Sequence, residues 1–259
     1  MKTILKLNKV VKNFSGLVAV NDLSFEMTER SIHALIGPNG SGKTTTINMI
    51  TGALPITSGE IQYNGTTISS LPAYKIARMG IGRTFQNLKL FNSMTVIENL
   101  MVGGHQLTKM GLLEFLFNFH GAAQEEKFLR ERAREVLTFL GIDDLRNEKV
   151  SNLPYGLQKK TELGRALMVK PKLLLLDEPA GGLNPTERVE FVDILLKIFE
   201  NGIDLLLIEH NMDVVMNVSS KITVLNFGQK IAEGLSSEIQ EDEEVIKAYL
   251  GEKYMQIAK

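Results

Sequence analysis

One glycine-rich stretch, GPNGSGKT at 37–44, constrains the fold of this chain more than any other segment. It fits the pattern G-x-x-x-x-G-K-[ST], in which glycines let successive backbone N–H groups curl around phosphates. SIHALIG precedes it and KTTTINMITG follows it, which predicts a buried strand, a tight loop and a helix. A helix that begins there points its positive end at the same anion. The segment therefore predicts an α/β fold with a phosphate-binding loop.

The side chains of this loop predict a nucleotide and a magnesium ion as ligands. Lys43 would reach the β- and γ-phosphates, and the Thr44 hydroxyl would ligate Mg²⁺. The predicted phosphate-binding residues are Gly37, Pro38, Asn39, Gly40, Ser41, Gly42, Lys43, Thr44 and Thr45.

Polar residues at the ends of two apolar strands complete a predicted hydrolytic site. Asp177 and Glu178 end KLLLLDEP, and His210 ends DLLLIEHN. The carboxyl ends of parallel strands are where α/β folds bind ligands. Asp177 would hold Mg²⁺ through a water molecule, and Glu178 would orient and polarise the attacking water. Gln86, after GIGRTF, would ligate Mg²⁺ or hold that water through its amide oxygen.

The order of sequence patterns predicts one α/β core that is interrupted by helices. Alternating strands open the chain, and β/α alternation returns after Pro171. Between them, Thr95 and Glu98 form a capping box, and leucines recur at helical spacing. We expect a single domain with a nucleotide-binding core at 1–87 and 166–241, a helical subdomain at 88–165, and a C-terminal helix and tail at 242–259.

Composition excludes several classes of protein. The chain has 29 basic and 30 acidic residues, so no global basic field indicates a nucleic-acid partner. It has no cysteine, which excludes disulfides and thiolate metal sites. The most apolar stretches, GLLEFLFNF and KLLLLDEP, are far shorter than the roughly 20 residues of a spanning helix. We therefore expect a chain that does not cross a membrane.

Taken together, these motifs resemble a known family. The phosphate loop, RTFQ, NLPYGLQKKTELGRAL, LLLLDEPAGGLNP and IEHN occur in the order of an ABC transporter ATP-binding subunit, and the resemblance covers the whole chain. It is most similar to the subunits of branched-chain amino acid importers. Three features carry this similarity: the stretch GIGRTFQNLKLFNSMTVIENLMVG, a tyrosine in NLPYG where the signature motif of the family has its first glycine, and the ending VIKAYLGE. The resemblance implies a P-loop NTPase (RecA-like) core with an antiparallel β subdomain and an inserted helical subdomain. It also implies an ATPase with ATP and Mg²⁺ as cofactors.

The resemblance assigns roles that the residues alone do not. It implies that Phe14 stacks on adenine, with an ordinary core aromatic as the alternative. Ala180–Asn184 would be the loop that crosses to a partner ATPase subunit. Gln86 and the segment after it would form the joint that senses a membrane subunit. The aromatic run Phe115–Phe119 would line the groove in which that membrane subunit binds, or would pack within the helical insert.

The signature of this family is altered here. Leu153–Leu157 occupies the place of L-S-G-G-Q, and Pro154 removes both the serine hydroxyl and a backbone N–H. Tyr155 and Leu157 replace a glycine and the glutamine. Gly156 and the helix start remain, and would meet the γ-phosphate of ATP on the partner, because such subunits pair head to tail. This pattern favours a heterodimer with two unequal sites, and a homodimer is the alternative.

The resemblance implies a peripheral subunit on the cytoplasmic face of the cell membrane that energises amino acid import. Its partners would be a second ABC ATPase subunit, two integral-membrane permease subunits and, indirectly, a solute-binding protein. One alternative is an ATPase of a urea or amide importer. Others are a soluble ABC ATPase that acts on ribosomes or DNA, and a regulatory nucleotide binder without turnover.

Overall fold

The computed structural model describes residues 2–108 and 119–249. Residues 115–118 of the predicted aromatic run and residues 250–259 of the predicted C-terminal tail lie outside these ranges.

Strands and helices alternate as the sequence patterns predict. The strands are β1 (Thr3–Phe14), β2 (Leu17–Thr28), β3 (Ile32–Ile36), β4 (Ser58–Tyr63), β5 (Thr66–Thr67), β6 (Ile81–Arg83), β7 (Leu173–Asp177), β8 (Asp204–Ile208), β9 (Lys221–Asn226) and β10 (Gln229–Gly234). The helices are α1 (Lys43–Ile50), α2 (Ala73–Arg78), α3 (Val96–Gly103), α4 (Phe119–Leu140), α5 (Tyr155–Leu167), α6 (Pro185–Glu200), α7 (Met212–Val218) and α8 (Ser236–Glu241). Residues 243–249 are also helical.

The larger sheet carries the candidate site at the carboxyl ends of its strands. Its strand order is β10-β9-β3-β8-β7-β6. Neighbouring strands from β9 to β6 run parallel, and β10 is antiparallel to β9 across the predicted hairpin. Strand β7 is entirely buried because both faces of the sheet are covered. Leu174 and Leu176 pack in a cluster with the helical insert, whereas Leu173 and Leu175 pack with α1 and the smaller sheet.

The smaller sheet confirms the predicted antiparallel subdomain. Its order is β2-β1-β4-β5, with antiparallel pairs throughout. Strands β4 and β5 join at Asn64 and Gly65, whose φ angles of 49° and 76° are those of the predicted tight turn. The fold is therefore the predicted α/β core with an added antiparallel sheet.

The helical insert begins at the predicted capping box and shares its core with the large sheet. The Glu98 carboxylate accepts the Thr95 N–H at 2.8 Å, and the Thr95 hydroxyl accepts the Glu98 N–H at 3.4 Å. Helices α3, α4 and α5 bury their apolar faces in the same cluster as β7 and β8. Helix α5 ends at Leu167, so the predicted boundary between 165 and 166 falls inside this helix.

No helix within residues 2–108 and 119–249 has the length and apolar character that spanning a membrane requires.

Candidate nucleotide-binding and hydrolysis site

The glycine-rich loop connects β3 to α1 in backbone conformations that its glycines permit. Gly37, Gly40 and Gly42 have φ angles of 148°, 77° and 102°. A Cβ atom on Gly37 would lie 2.0 Å from the carbonyl oxygen of Leu225, so a side chain cannot fit there. Gly42 is the N-cap of α1 in a left-handed conformation. The loop therefore has the tight geometry that the phosphate-binding pattern predicts.

Lys43 lies over the loop that it is predicted to complete. Its side chain is buried, and Nζ donates hydrogen bonds to the carbonyl oxygens of Gly37 at 2.8 Å and Pro38 at 2.9 Å. The Ser41 hydroxyl is buried and has no hydrogen-bond partner among the described residues. Buried polar atoms without a partner are uncommon, and a ligand oxygen would satisfy this one.

Asp177 ends β7 as a buried carboxylate. Its Oδ2 atom accepts a hydrogen bond from Arg83 Nη2 at 3.3 Å. Its Oδ1 atom has no hydrogen-bond partner in the part of the chain that the structure describes. Burial raises the pKa of Asp177, and the Arg83 guanidinium opposes that rise. An unpartnered carboxylate oxygen near the Lys43 charge fits an oxygen-ligated Mg²⁺.

The predicted catalytic residues meet at one carboxylate oxygen. Gln86 Nε2 donates to Glu178 Oε2 at 3.0 Å, and His210 Nδ1 lies 3.7 Å from the same oxygen. These residues follow β6, β7 and β8, which are neighbours in the large sheet. Glu178 has a φ of 49°, which is strained for a residue with a side chain, and its N–H donates to the Ile208 carbonyl at 2.9 Å. Their catalytic roles stay predictions.

Phe14 ends β1 with its side chain 41% exposed. Lys12 Nζ lies 4.9 Å from the centroid of its ring. The alternative of a buried core aromatic is therefore wrong, and stacking on adenine stays a prediction.

Comparison with known proteins decides the family. A family model described as ABC transporter matches residues 20–181, more than half of the chain. This chain belongs to the ABC transporter ATPase family. A second model, described as Branched-chain amino acid ATP-binding cassette transporter, matches residues 229–254.

Similar ABC proteins match almost the whole chain. The high-affinity branched-chain amino acid transport ATP-binding protein LivG of Salmonella typhimurium is 42% identical over 250 residues, which are 96% of this chain and 98% of that protein. The corresponding BraF protein of Pseudomonas aeruginosa is 40% identical over 252 residues, which are 97% of this chain and 99% of that protein.

Solved ABC structures share the fold. The ADP conformation of MJ1267, an ATP-binding cassette of an ABC transporter, has a TM-score of 0.85 and 34% identity, and the match covers 97% of this chain and all of that one. A nucleotide-free cassette from an ABC transporter has a TM-score of 0.84 and 33% identity, with 95% of this chain and 98% of that one covered.

The altered ABC signature packs against its own chain. Pro154 is the N-cap of α5, and both Pro154 and Tyr155 are exposed. A Cβ atom on Gly182 would lie 2.8 Å from Tyr155 Cε1, so the tyrosine ring rests on the loop after Glu178. Gly156 is buried, and a Cβ atom there would lie 2.7 Å from Glu187 Oε1. Contact between Gly156 and a partner's ATP stays a prediction.

Three charged residues near the site were missed by sequence reasoning. Arg83 connects α1 to the site, because Nη1 donates to Asn48 Oδ1 at 2.7 Å while Nη2 contacts Asp177. Lys159 and Glu209 are almost fully buried. Burial raises the pKa of Glu209, and backbone N–H donors oppose that rise. Their positions in the sequence were the signal that could have found them. Arg83 lies in GIGRTF, Lys159 lies in the signature helix, and Glu209 directly precedes His210 in IEHN.

Proposed function

We propose that this chain is the ATP-binding and hydrolysing subunit that energises import of branched-chain, or similar small, amino acids through a membrane ABC transporter. The observation that carries the proposal is the meeting of Gln86 and His210 at Glu178 Oε2, at the sheet edge that also bears Asp177. That arrangement can hold and activate a water molecule. The names of the relatives LivG and BraF support the solute class.

The phosphate loop binds the phosphates of ATP, and residues of the loop and of the strand ends together bind Mg²⁺. Backbone N–H groups of the loop and the Lys43 ammonium hold the phosphates, and Phe14 stacks on the adenine. Thr44, the Gln86 amide oxygen and, through water, Asp177 would hold Mg²⁺. The ion, when bound, neutralises charge that develops on the phosphate oxygens.

Glu178 acts on the attacking water. A carboxylate offers about four lone-pair positions, so the contact with Gln86 leaves room to accept a hydrogen bond from water. Gln86 and His210 fix the position of the Glu178 carboxylate. This position orients the water in line with the γ-phosphate. The nearby guanidinium of Arg83 keeps Asp177 paired in its buried position.

The partners follow from the two surfaces beside this site. We place a second ATPase subunit against the signature and the loop Ala180–Asn184, head to tail, as a heterodimer with unequal sites.

A groove of about 290 Å³ separates α2 and β6 from α3 and α5, and Phe85 and Arg165 line it. A cytoplasmic segment of a permease subunit would occupy this groove next to Gln86. The chain would thus lie peripherally on the cytoplasmic face of the membrane.

Co-purification tests this assignment. Tagged full-length chain, expressed together with any polytopic membrane proteins, second ATPase and binding protein that neighbouring genes encode, is expected to retain the membrane proteins in detergent and to hydrolyse ATP. Failure to retain them would contradict the transporter assignment. A retained complex without ATP turnover would instead indicate a regulatory nucleotide binder.

Restoring a serine in the signature tests the unequal-site hypothesis. Pro154→Ser is expected to speed hydrolysis at the partner's site by up to roughly tenfold, since one hydroxyl and one N–H are returned to its γ-phosphate and such bonds contribute about 1–3 kcal/mol. Pro154 is an N-cap with a non-helical ψ of 152°, a position where serine is favourable, so the fold should tolerate the change. The measurement is single-turnover hydrolysis in the assembled complex.

A partner whose phosphate-loop lysine is replaced provides the control for Pro154→Ser. The gain should vanish in that background, and ATP affinity at Lys43 should not change. A gain that persists there would show that Pro154 serves its own chain. No gain in either background would remove the unequal-site hypothesis.

A further inference from the structure

Two buried side chains of opposite charge hold the peptide segment that carries Glu178. Lys159, on α5, is 3% exposed, and its Nζ atom donates to the Glu178 carbonyl oxygen at 3.4 Å. Glu209, which follows β8, is fully buried, and its Oε1 atom accepts the Ala180 N–H at 2.8 Å. The segment 178–180 is thus anchored at both ends by side chains from other elements.

The Glu209 carboxylate also holds the loop that carries the histidine. Its Oε2 atom accepts the N–H groups of His210 at 3.2 Å and Asn211 at 3.3 Å. One carboxylate therefore bonds to backbone donors of two loops, one after β7 and one after β8. A buried carboxylate is tolerated where such donors surround it, and they fix its position in return.

The backbone of Glu178 needs this support. Its φ of 49° is a left-handed conformation that is strained for a residue with a side chain, and it persists only where neighbouring structure enforces it. The Gly181 N–H closes the turn by donating to the Glu178 carbonyl at 3.1 Å. Ala180, inside that turn, is tied to Glu209.

We infer that Glu209 is a positioning residue, which sets Glu178 and His210 at their mutual distance by binding the backbone of both loops. The inference rests on the proposed hydrolytic function. Glu209 would not touch ATP or water. It would act by keeping the Glu178 carboxylate in line with the γ-phosphate, and Lys159 would support the same turn from α5.

Glu209→Gln tests this inference, since glutamine keeps the shape but turns one acceptor into a donor that faces backbone N–H groups. In the assembled transporter, kcat at saturating ATP should fall by roughly 10- to 100-fold, because small misplacements of catalytic groups cost about that much. The dissociation constant for ATP should stay within about threefold, because the phosphate loop is untouched.

Asp204→Asn is the matched control. Asp204 begins β8, at the opposite edge of the sheet, and its Oδ1 atom accepts the Ser31 N–H at 2.9 Å. This variant also removes a carboxylate that caps backbone donors, but far from Glu178. Its kcat should equal that of the wild type. An equal loss of kcat in both variants would mean general destabilisation and would overturn the inference.

Amide hydrogen exchange gives a readout that does not depend on activity. In the full chain, the amides of Ala180, His210 and Asn211 should exchange faster in Glu209→Gln than in the wild type, and at unchanged rates in Asp204→Asn. Unchanged exchange, or unchanged kcat, in Glu209→Gln would overturn the positioning role alone if the wild type hydrolyses ATP. A wild-type complex that does not hydrolyse ATP would overturn the proposed function, and the inference with it.

Discussion

Replacing Glu178 with glutamine is expected to slow ATP hydrolysis at this chain's site by about 100-fold or more. The amide keeps the size of the side chain but cannot polarise the attacking water as a carboxylate does. Binding of Mg·ATP should hardly change, because Lys43 and the phosphate loop supply that affinity. Single-turnover hydrolysis in the purified complex, with nucleotide binding measured on the same preparation, separates the two effects.

The same experiment can refute the role of Glu178. Glu98→Gln is a suitable control, since Glu98 belongs to the capping box of α3 and not to the hydrolytic cluster. That variant should keep a nearly normal single-turnover rate at this chain's site. If Glu178→Gln also keeps most of its rate, Glu178 is not the residue that activates water.

Replacing Lys43 with alanine should act on affinity and not on the chemical step. The change removes a buried positive charge from the loop and with it the charge-assisted contacts to the β- and γ-phosphates. Loss of such contacts costs about 3 kcal/mol, which corresponds to roughly 100-fold weaker binding. Isothermal titration calorimetry of the full chain with Mg·ATP measures the change directly.

Lys6→Ala is the matched control for the loss of a positive charge. Lys6 lies on β1, is 44% exposed and pairs with Glu26, so its removal should leave ATP affinity unchanged. Equal affinities for the wild type and Lys43→Ala would break the assignment of the phosphate loop. Equal losses in Lys43→Ala and Lys6→Ala would point to an effect of net charge.

Local patterns were sufficient to predict the framework. The run LLLLD has apolar side chains on both faces of a strand, and both faces must be buried. It therefore predicts a central parallel strand. The spacing of glycines before Lys43 predicts backbone angles that other residues avoid, and Gly37, Gly40 and Gly42 have them. Thr95 and Glu98 predict a helix start from interactions three residues apart. Each of these signals is confined to a few neighbouring residues.

The contacts that tune the site were not predictable, because they join residues that are far apart in the sequence. Arg83 meets Asp177 only because β6 and β7 are neighbours in the sheet. Glu209 reaches Ala180 for the same reason, through β7 and β8. A glutamate beside His210 is expected to be exposed to solvent, whereas one of the donors that make its burial tolerable, the Ala180 N–H, comes from another loop.

Uptake of amino acid into proteoliposomes tests the central claim most directly, namely that ATP hydrolysis at this chain's site drives import. The complete complex is reconstituted with ATP on the side that carries this chain, and with the binding protein and labelled leucine on the other. We predict ATP-dependent accumulation of leucine on the ATP side with the wild-type chain, and its loss with Glu178→Gln. Accumulation that is equally fast with Glu178→Gln, or movement of leucine away from the ATP side, would contradict the account.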